Sequence, residues 1–193
     1  MTDTITTTSA IDTPITPSLR ERQAPLKARY EADPATARFT TVVRSTTEGD
    51  DPTRVRFSTA TGVGPGGGEV AWDVEAHPFA GGTGELACSG DLLLASLAAC
   101  QEITLRMVAT AMNVTLDEVE VRVEGDMDFR GTMGVDSETP VGYTAIRTAI
   151  RIRADAPEDR IQRLIARAER YCVVAATLRQ SPKLTTTIEV VGG

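Results

Sequence analysis

The 193-residue chain predicts an α+β fold. Short segments of strict apolar–polar alternation read as strands, and one long segment rich in leucine and alanine reads as a helix. The order is three strands, helix, two strands, helix, strand, which is not the repeating strand–helix alternation of a parallel α/β sheet.

Taken in order, residues 1–17 are dominated by threonine, carry Asp3 and Asp12, and hold no apolar run. They read as a disordered tail without the positive start and apolar stretch of a secretory signal. A single domain is expected over 18–193, opening with a helical extension over 18–37. Ser18 is positioned to cap a helix through Leu19–Asp33 that Pro34 stops, and Pro25 predicts a break or a late start. Phe39, Thr41 and Val43 share one face of a first strand, and Val55, Phe57 and Thr59 one face of a second. Val70, Trp72, Val74 and Ala76 line a third. The glycine-rich run Gly62–Gly68 between the second and third is followed by a strand. A phosphate cradle needs a helix N-terminus there, so the run reads as a hairpin connection.

After a loop over 78–91, Ser89 is a candidate N-cap and Asp91 a first-turn acid for a helix over about Gly90–Met112. Leu92, Leu93, Leu94, Leu97, Ala98 and Ala99 cover nearly its whole circumference, which predicts a central helix of about 34 Å buried on all sides. Val119, Val121 and Val123 then alternate with charges, Gly125 is a candidate bulge, and Met127 and Phe129 resume the strand pattern. Ile146, Ile150 and Ile152 alternate with arginines. Pro157 opens a helix with Ile161, Leu164, Ile165 and Ala168 on its buried face. Leu184–Val191 reads as a last strand.

Composition excludes several classes. Twenty basic against 27 acidic residues give a net charge of −7, with no basic stripe to meet nucleic acid or an anionic membrane. No apolar run reaches the roughly 20 residues of a membrane span. Three cysteines, Cys88, Cys100 and Cys172, are an odd number, which predicts a reducing, cytoplasmic setting rather than a disulfide scaffold. With one histidine, His77, and no Cys-x-x-Cys, no metal site or other cofactor is expected. A Ser-His-Asp hydrolase would rest wholly on His77, which precedes Pro78 in a turn-like stretch, and is disfavoured.

The cysteines are where chemistry can lie. Cys100 sits mid-way along the apolar helix, where a free thiol often only packs. Cys172 follows Glu169-Arg170-Tyr171; if the helix breaks at Tyr171 and restarts, its thiol lies at a helix N-terminus, where the dipole favours thiolate.

The run Cys88-Ser89-Gly90-Asp91-Leu92-Leu93-Leu94-Ala95-Ser96-Leu97-Ala98-Ala99-Cys100 resembles the central-helix signature of the OsmC/Ohr family, the osmotically inducible and organic hydroperoxide resistance proteins. Glu169-Arg170-Tyr171-Cys172-Val173-Val174-Ala175-Ala176-Thr177-Leu178 resembles its second cysteine motif. Asp128-Phe129-Arg130-Gly131-Thr132-Met133-Gly134-Val135 is similar to a branch that also has an N-terminal helix. The resemblance implies an OsmC-like fold, with antiparallel sheets around the long helix in an intertwined homodimer. It also implies a two-cysteine reduction of organic hydroperoxides, and of hydrogen peroxide, with Cys100 peroxidatic and Cys172 resolving. The implied reductant is a small dithiol or a lipoylated protein.

The chain departs from the hydroperoxide branch in three places. Gly90 stands where that branch has a glutamate, and Asp91 is the candidate stand-in. The loop Gly62–Gly68 lacks its activating arginine, leaving Arg130 and Arg170 as candidates, with Glu169 beside the latter. Val173 replaces a proline. The alternative these departures motivate is a protein of the same fold that binds small molecules or senses redox state without turnover. Cys88 is expected to pack at the helix entry.

Overall fold

The computed structural model describes residues 17–46, 49–60 and 68–191. Nearly all of the expected tail and most of the Gly62–Gly68 run lie outside the described residues. The chain divides into two units, Met1–Thr40 and Thr41–Gly193.

In the first unit, α1 (Leu19–Ala32) starts where Ser18 accepts the Glu21 N–H and the Glu21 carboxylate accepts the Ser18 N–H, a reciprocal capping box. Pro25 lies within α1 and does not break it. The helix has no buried residue, so water can take the carbonyl that proline leaves without a donor. A 3₁₀ turn, Pro34–Ala37, follows.

In the second unit, β1 (Val43–Thr46), β2 (Arg54–Ala60) and β3 (Glu69–Glu75) form one antiparallel sheet in that order. Phe57 lies opposite Trp72 across the β2–β3 ladder, and their rings stack at 5.1 Å. The first strand is shorter than its alternation predicts: Phe39 and Thr41 fall outside the ladder, which begins at Val43. A 3₁₀ turn over Pro78–Ala80 leads toward α2 (Ser89–Ala111). β4 (Leu116–Asp126) and β5 (Ala145–Ala154) make a second antiparallel pair. Between them lies one helical turn, α3 (Phe129–Thr132). Phe129 therefore does not resume the strand as expected. The Asp128 carboxylate accepts the Arg130 N–H and ends the extended chain in a turn. The irregularity in β4 falls at Leu116/Glu118, and Gly125 stays in the ladder opposite Ile146. Then come α4 (Glu158–Tyr171) and α5 (Val173–Arg179).

The core is two clusters strung along α2. Leu105, Ala109, Val114, Leu164 and Ala168 form one, backed by Val119, Ile150, Ile152 and Ile161. Leu97, Cys172 and Ala175 form the other, with Cys100, Val123 and Ile146 against them. The valines of β4 and isoleucines of β5 point inward at every second position, as their alternation requires.

Two expectations are corrected here. The central helix is not buried on all sides: its buried residues, Leu97, Gln101, Leu105 and Ala109, form one stripe, while Ile103 is 58% exposed. One chain supplies β4, α4 and α5 to one side only. By length and composition alone α2 could cross a membrane; in this fold it packs against β4, α4 and α5. The C-terminal segment Leu184–Val191 forms no strand. Its alternation is sound, but a strand needs an edge to pair with, and within this chain the segment lies outside both sheets with Leu184 91% exposed.

Candidate thiol site

α4 and α5 are nearly one helix, interrupted at Cys172. That residue has extended backbone (φ −72°, ψ 108°), ends α4 and serves as the N-cap of α5, its sulfur accepting the Ala175 N–H at 3.5 Å. The break anticipated at Tyr171 thus falls one residue later. Its consequence is electrostatic, because the first N–H groups of α5 have no partner within their own helix.

Cys100 uses them. Its half-buried sulfur lies where the N–H groups of Val173 and Val174, the Thr104 hydroxyl and the Cys172 thiol all donate toward it. Burial alone would push the Cys100 thiol up; the Val174 N–H, the Cys172 thiol, Thr104 and the Val173 N–H together outweigh it, and the net direction is down. Cys172 goes the other way. Burial and its hydrogen bond to Cys100 hold its thiol up, against the pull of the Ala175 N–H. Of the two sulfurs, Cys100 is the one whose anion its surroundings favour and Cys172 the one held toward the thiol. All three cysteines are free thiols.

The supporting candidates are placed elsewhere. Asp91 caps α2: its carboxylate accepts the Cys88 N–H at 2.9 Å while the Cys88 sulfur accepts the Asp91 N–H at 3.4 Å. Cys88, not Ser89, is therefore the N-cap, because the Cys88–Asp91 pair satisfies two groups reciprocally. Nine residues along a helix put Asp91 about 14 Å from Cys100. Arg130 is bound by Asp128, at 2.6–3.1 Å, and reaches toward Asp136. It holds the Asp128 carboxyl down to about 2. It braces the turn before β5. Arg170 is exposed and lies over the Tyr171 ring at 5.7 Å, and Glu169 is exposed beside it. Where the resemblance leads one to expect an arginine, the groups that favour the Cys100 anion are backbone N–H donors, a hydroxyl and a thiol.

Gly90 has its own explanation. A Cβ there would fall 2.6 Å from the Tyr143 hydroxyl, and a Cβ at Gly125 would fall 2.5 Å from the same ring. Tyr143 fills the place a side chain at 90 would need. It also lines a cavity of about 520 Å³ with His77, Phe79, Cys88, Asp91 and Phe129. His77 Nδ1 accepts the Phe79 N–H at 3.1 Å, and its ring stacks on Phe129 at 4.7 Å. Among the described residues there is no cluster of His, Cys, Asp and Glu that could hold a metal ion.

Sequence reasoning missed Thr104 and the N–H groups of Val173 and Val174. Thr104 had a signal, since it lies four residues from Cys100 on the same helix face.

The OsmC-like protein family model matches residues 82–187, from the loop before α2 to the C-terminal segment. The chain belongs to the OsmC-like family. Its fold is similar to that of an OsmC-like protein from Mycoplasma pneumoniae, with a TM-score of 0.56 at 19% identity over 74% of this chain and 89% of that one. It is also similar to an OsmC-like protein of unknown function from Vibrio cholerae, with a TM-score of 0.55 at 10% identity over 72% of this chain and 94% of that one. None of the curated proteins matches. Both cysteines lie inside the matched region. At these identities the likeness concerns the fold.

Proposed function

We propose that this OsmC-like protein is a thiol-dependent peroxide reductase, with Cys100 attacking the peroxide and Cys172 resolving it. The observation that carries the reading is the paired environment of the two sulfurs. A nucleophile at neutral pH needs its anion favoured, and Cys100 has the first two N–H groups of α5 and two further donors, Thr104 and Cys172, for that purpose. A resolving thiol needs proximity, and Cys172 shares a hydrogen bond with Cys100.

In the proposed cycle the Cys100 thiolate attacks the terminal oxygen of ROOH. An S–O bond forms, the O–O bond breaks, and the alkoxide leaves and takes a proton as ROH. Cys172, deprotonated, then attacks the Cys100 sulfenic acid. An S–S bond forms, the S–O bond breaks, and hydroxide leaves as water. A dithiol, free or on a lipoylated protein, returns two electrons and restores both thiols. The half-buried setting of Cys100 among Leu97, Val123 and Ile146 suits an organic peroxide. Three free thiols suit a reducing cytoplasm. The unit of function in this reading is a homodimer.

The test is single-turnover oxidation. Reduced protein is mixed with one equivalent of cumene hydroperoxide, and its disulfides are mapped by mass spectrometry. A Cys100–Cys172 bond is expected within seconds. Cys172→Ser should instead accumulate a sulfenic acid that dimedone traps, and Cys100→Ser should consume no peroxide. Thiols still reduced after minutes would sink the enzyme reading in favour of a fold kept for binding.

A further inference from the structure

The cavity of about 520 Å³ beside Tyr143 lies apart from the Cys100–Cys172 pair, neither of which lines it. Three of its walls are aromatic: Phe79, Phe129 and Tyr143. The Phe79 and Phe129 rings stand at 77° to one another with centroids 5.5 Å apart, two walls meeting at a corner. Asp91 lines the same space, and among the described residues no lysine or arginine does. His77 lines it too, but its Nδ1 accepts the Phe79 N–H, and an imidazole that accepts is uncharged. Burial first, then the negative charge of Cys88 and Asp91, holds the Tyr143 phenol up, so the space carries a negative potential. The N-terminus of α2 opposes it with only about half an elementary charge, against the full charge of the Asp91 carboxylate.

One chain builds this cavity. Gly90, Asp91 and Leu94 continue the buried stripe of α2 toward its start, about one to two turns before Leu97. Ile103, about two and a half turns from Leu94, points the opposite way, so the cavity lies across the helix from its open face. The loop that carries His77 and Phe79 is held by the buried Glu75, whose carboxylate accepts the Leu86 N–H at 3.1 Å and the Thr83 hydroxyl at 2.9 Å.

Ring faces are negative, and a corner of rings beside a carboxylate favours a cation that gives up little hydration on entry. A carboxylate ligand would meet Asp91, and an uncharged one would gain nothing from it. We infer that this cavity binds a small quaternary ammonium compound of the choline type, seated in the corner of Phe79 and Phe129 with Asp91 as its counter-charge. The inference does not rest on peroxide turnover and is tested without it.

The test is proton NMR titration of the reduced full-length protein with choline and with 3,3-dimethylbutan-1-ol, which has carbon in place of nitrogen and no charge. Choline should bind about tenfold tighter than the alcohol, the scale of a cation–π contact with a desolvated charge. Its methyl signal should also move upfield, because the ring faces shield it. Phe79→Leu, at a ring that is 72% exposed, should cut choline affinity about fivefold and shrink that shift. Asp91→Asn, which keeps an acceptor for the Cys88 N–H, should weaken choline roughly threefold and leave the alcohol unchanged. Equal affinity for the two compounds would overturn the inference, leaving an apolar pocket indifferent to charge. Absence of saturable choline binding would overturn it too. So would choline binding that Phe79→Leu leaves unmoved, which would place the cation elsewhere on an acidic protein.

Discussion

Tyr143 shows how a single side chain decides what its neighbours can be. Its ring lies against Gly125 and its hydroxyl against Gly90, so two glycines that read in the sequence as a bulge and a lost acid are both there for fit. Alanine at 125 would place a Cβ 2.5 Å from the ring and 3.2 Å from Leu94, inside a paired strand that cannot yield freely. Gly125→Ala should therefore cost about 1–3 kcal/mol through overpacking, read as a melting temperature lowered by several degrees. Adding Tyr143→Ala should recover part of that loss relative to Tyr143→Ala alone, because the clash partner is gone. Strictly additive costs would show that the ring is not the obstacle.

At the scale of elements, α5 is short, and its use lies in its first turn. Cys172 breaks the chain so that the N–H groups of Val173 and Val174 face the Cys100 sulfur rather than a preceding turn. Val173→Pro tests this without disturbing the helix, since proline is tolerated at the first helical position but carries no N–H. The Cys100 thiol is held down, so its alkylation rate should level off at a pH below that of a free thiol near 8.5. Val173→Pro removes one donor to the anion and must raise the inflection; the rate at neutral pH should fall about two- to tenfold. Thr104→Val should move it in the same direction. An inflection unchanged in both variants would mean that neither donor sustains the anion.

Much at this scale was legible beforehand. The valines of β4, the isoleucines of β5, the Ser18 cap and the proline before α4 announce themselves because alternation and capping are local properties. The Cys88 cap was not legible, because cysteine is an uncommon partner for a reciprocal box and Ser89 beside it looked better. Nor was the burial of Gln101 read, although its spacing from Leu97 and Leu105 carried the signal. The pairing of Cys100 with Cys172 came from motif resemblance rather than from periodicity, which says nothing about residues 72 positions apart.

The whole molecule exposes what local patterns cannot settle, namely who covers an apolar face. The alternation in Leu184–Val191 is that of a strand, yet the segment has no ladder. α2 carries apolar residues around its circumference, yet only one stripe is buried. Trp72, Val43 and Val55 of the first sheet are also more than a third exposed. Apolar residues left open on several elements are what an interaction site would cover. A second copy of the chain answers all three at once, because each copy brings both an open helix face and an unpaired strand edge. The full-length protein is expected to sediment as a dimer of its 20.6 kDa chain at micromolar concentration. Ile103→Glu, on the open face of α2, should shift it toward monomer while far-ultraviolet dichroism keeps its helical signal, since glutamate is a good helix former. Removal of residues 184–193 should weaken the dimer as well, by taking away a strand available to the partner's sheet edge. A wild-type chain that sediments as a monomer would leave these faces to a different partner, and the peroxide chemistry would then have to be completed within one chain.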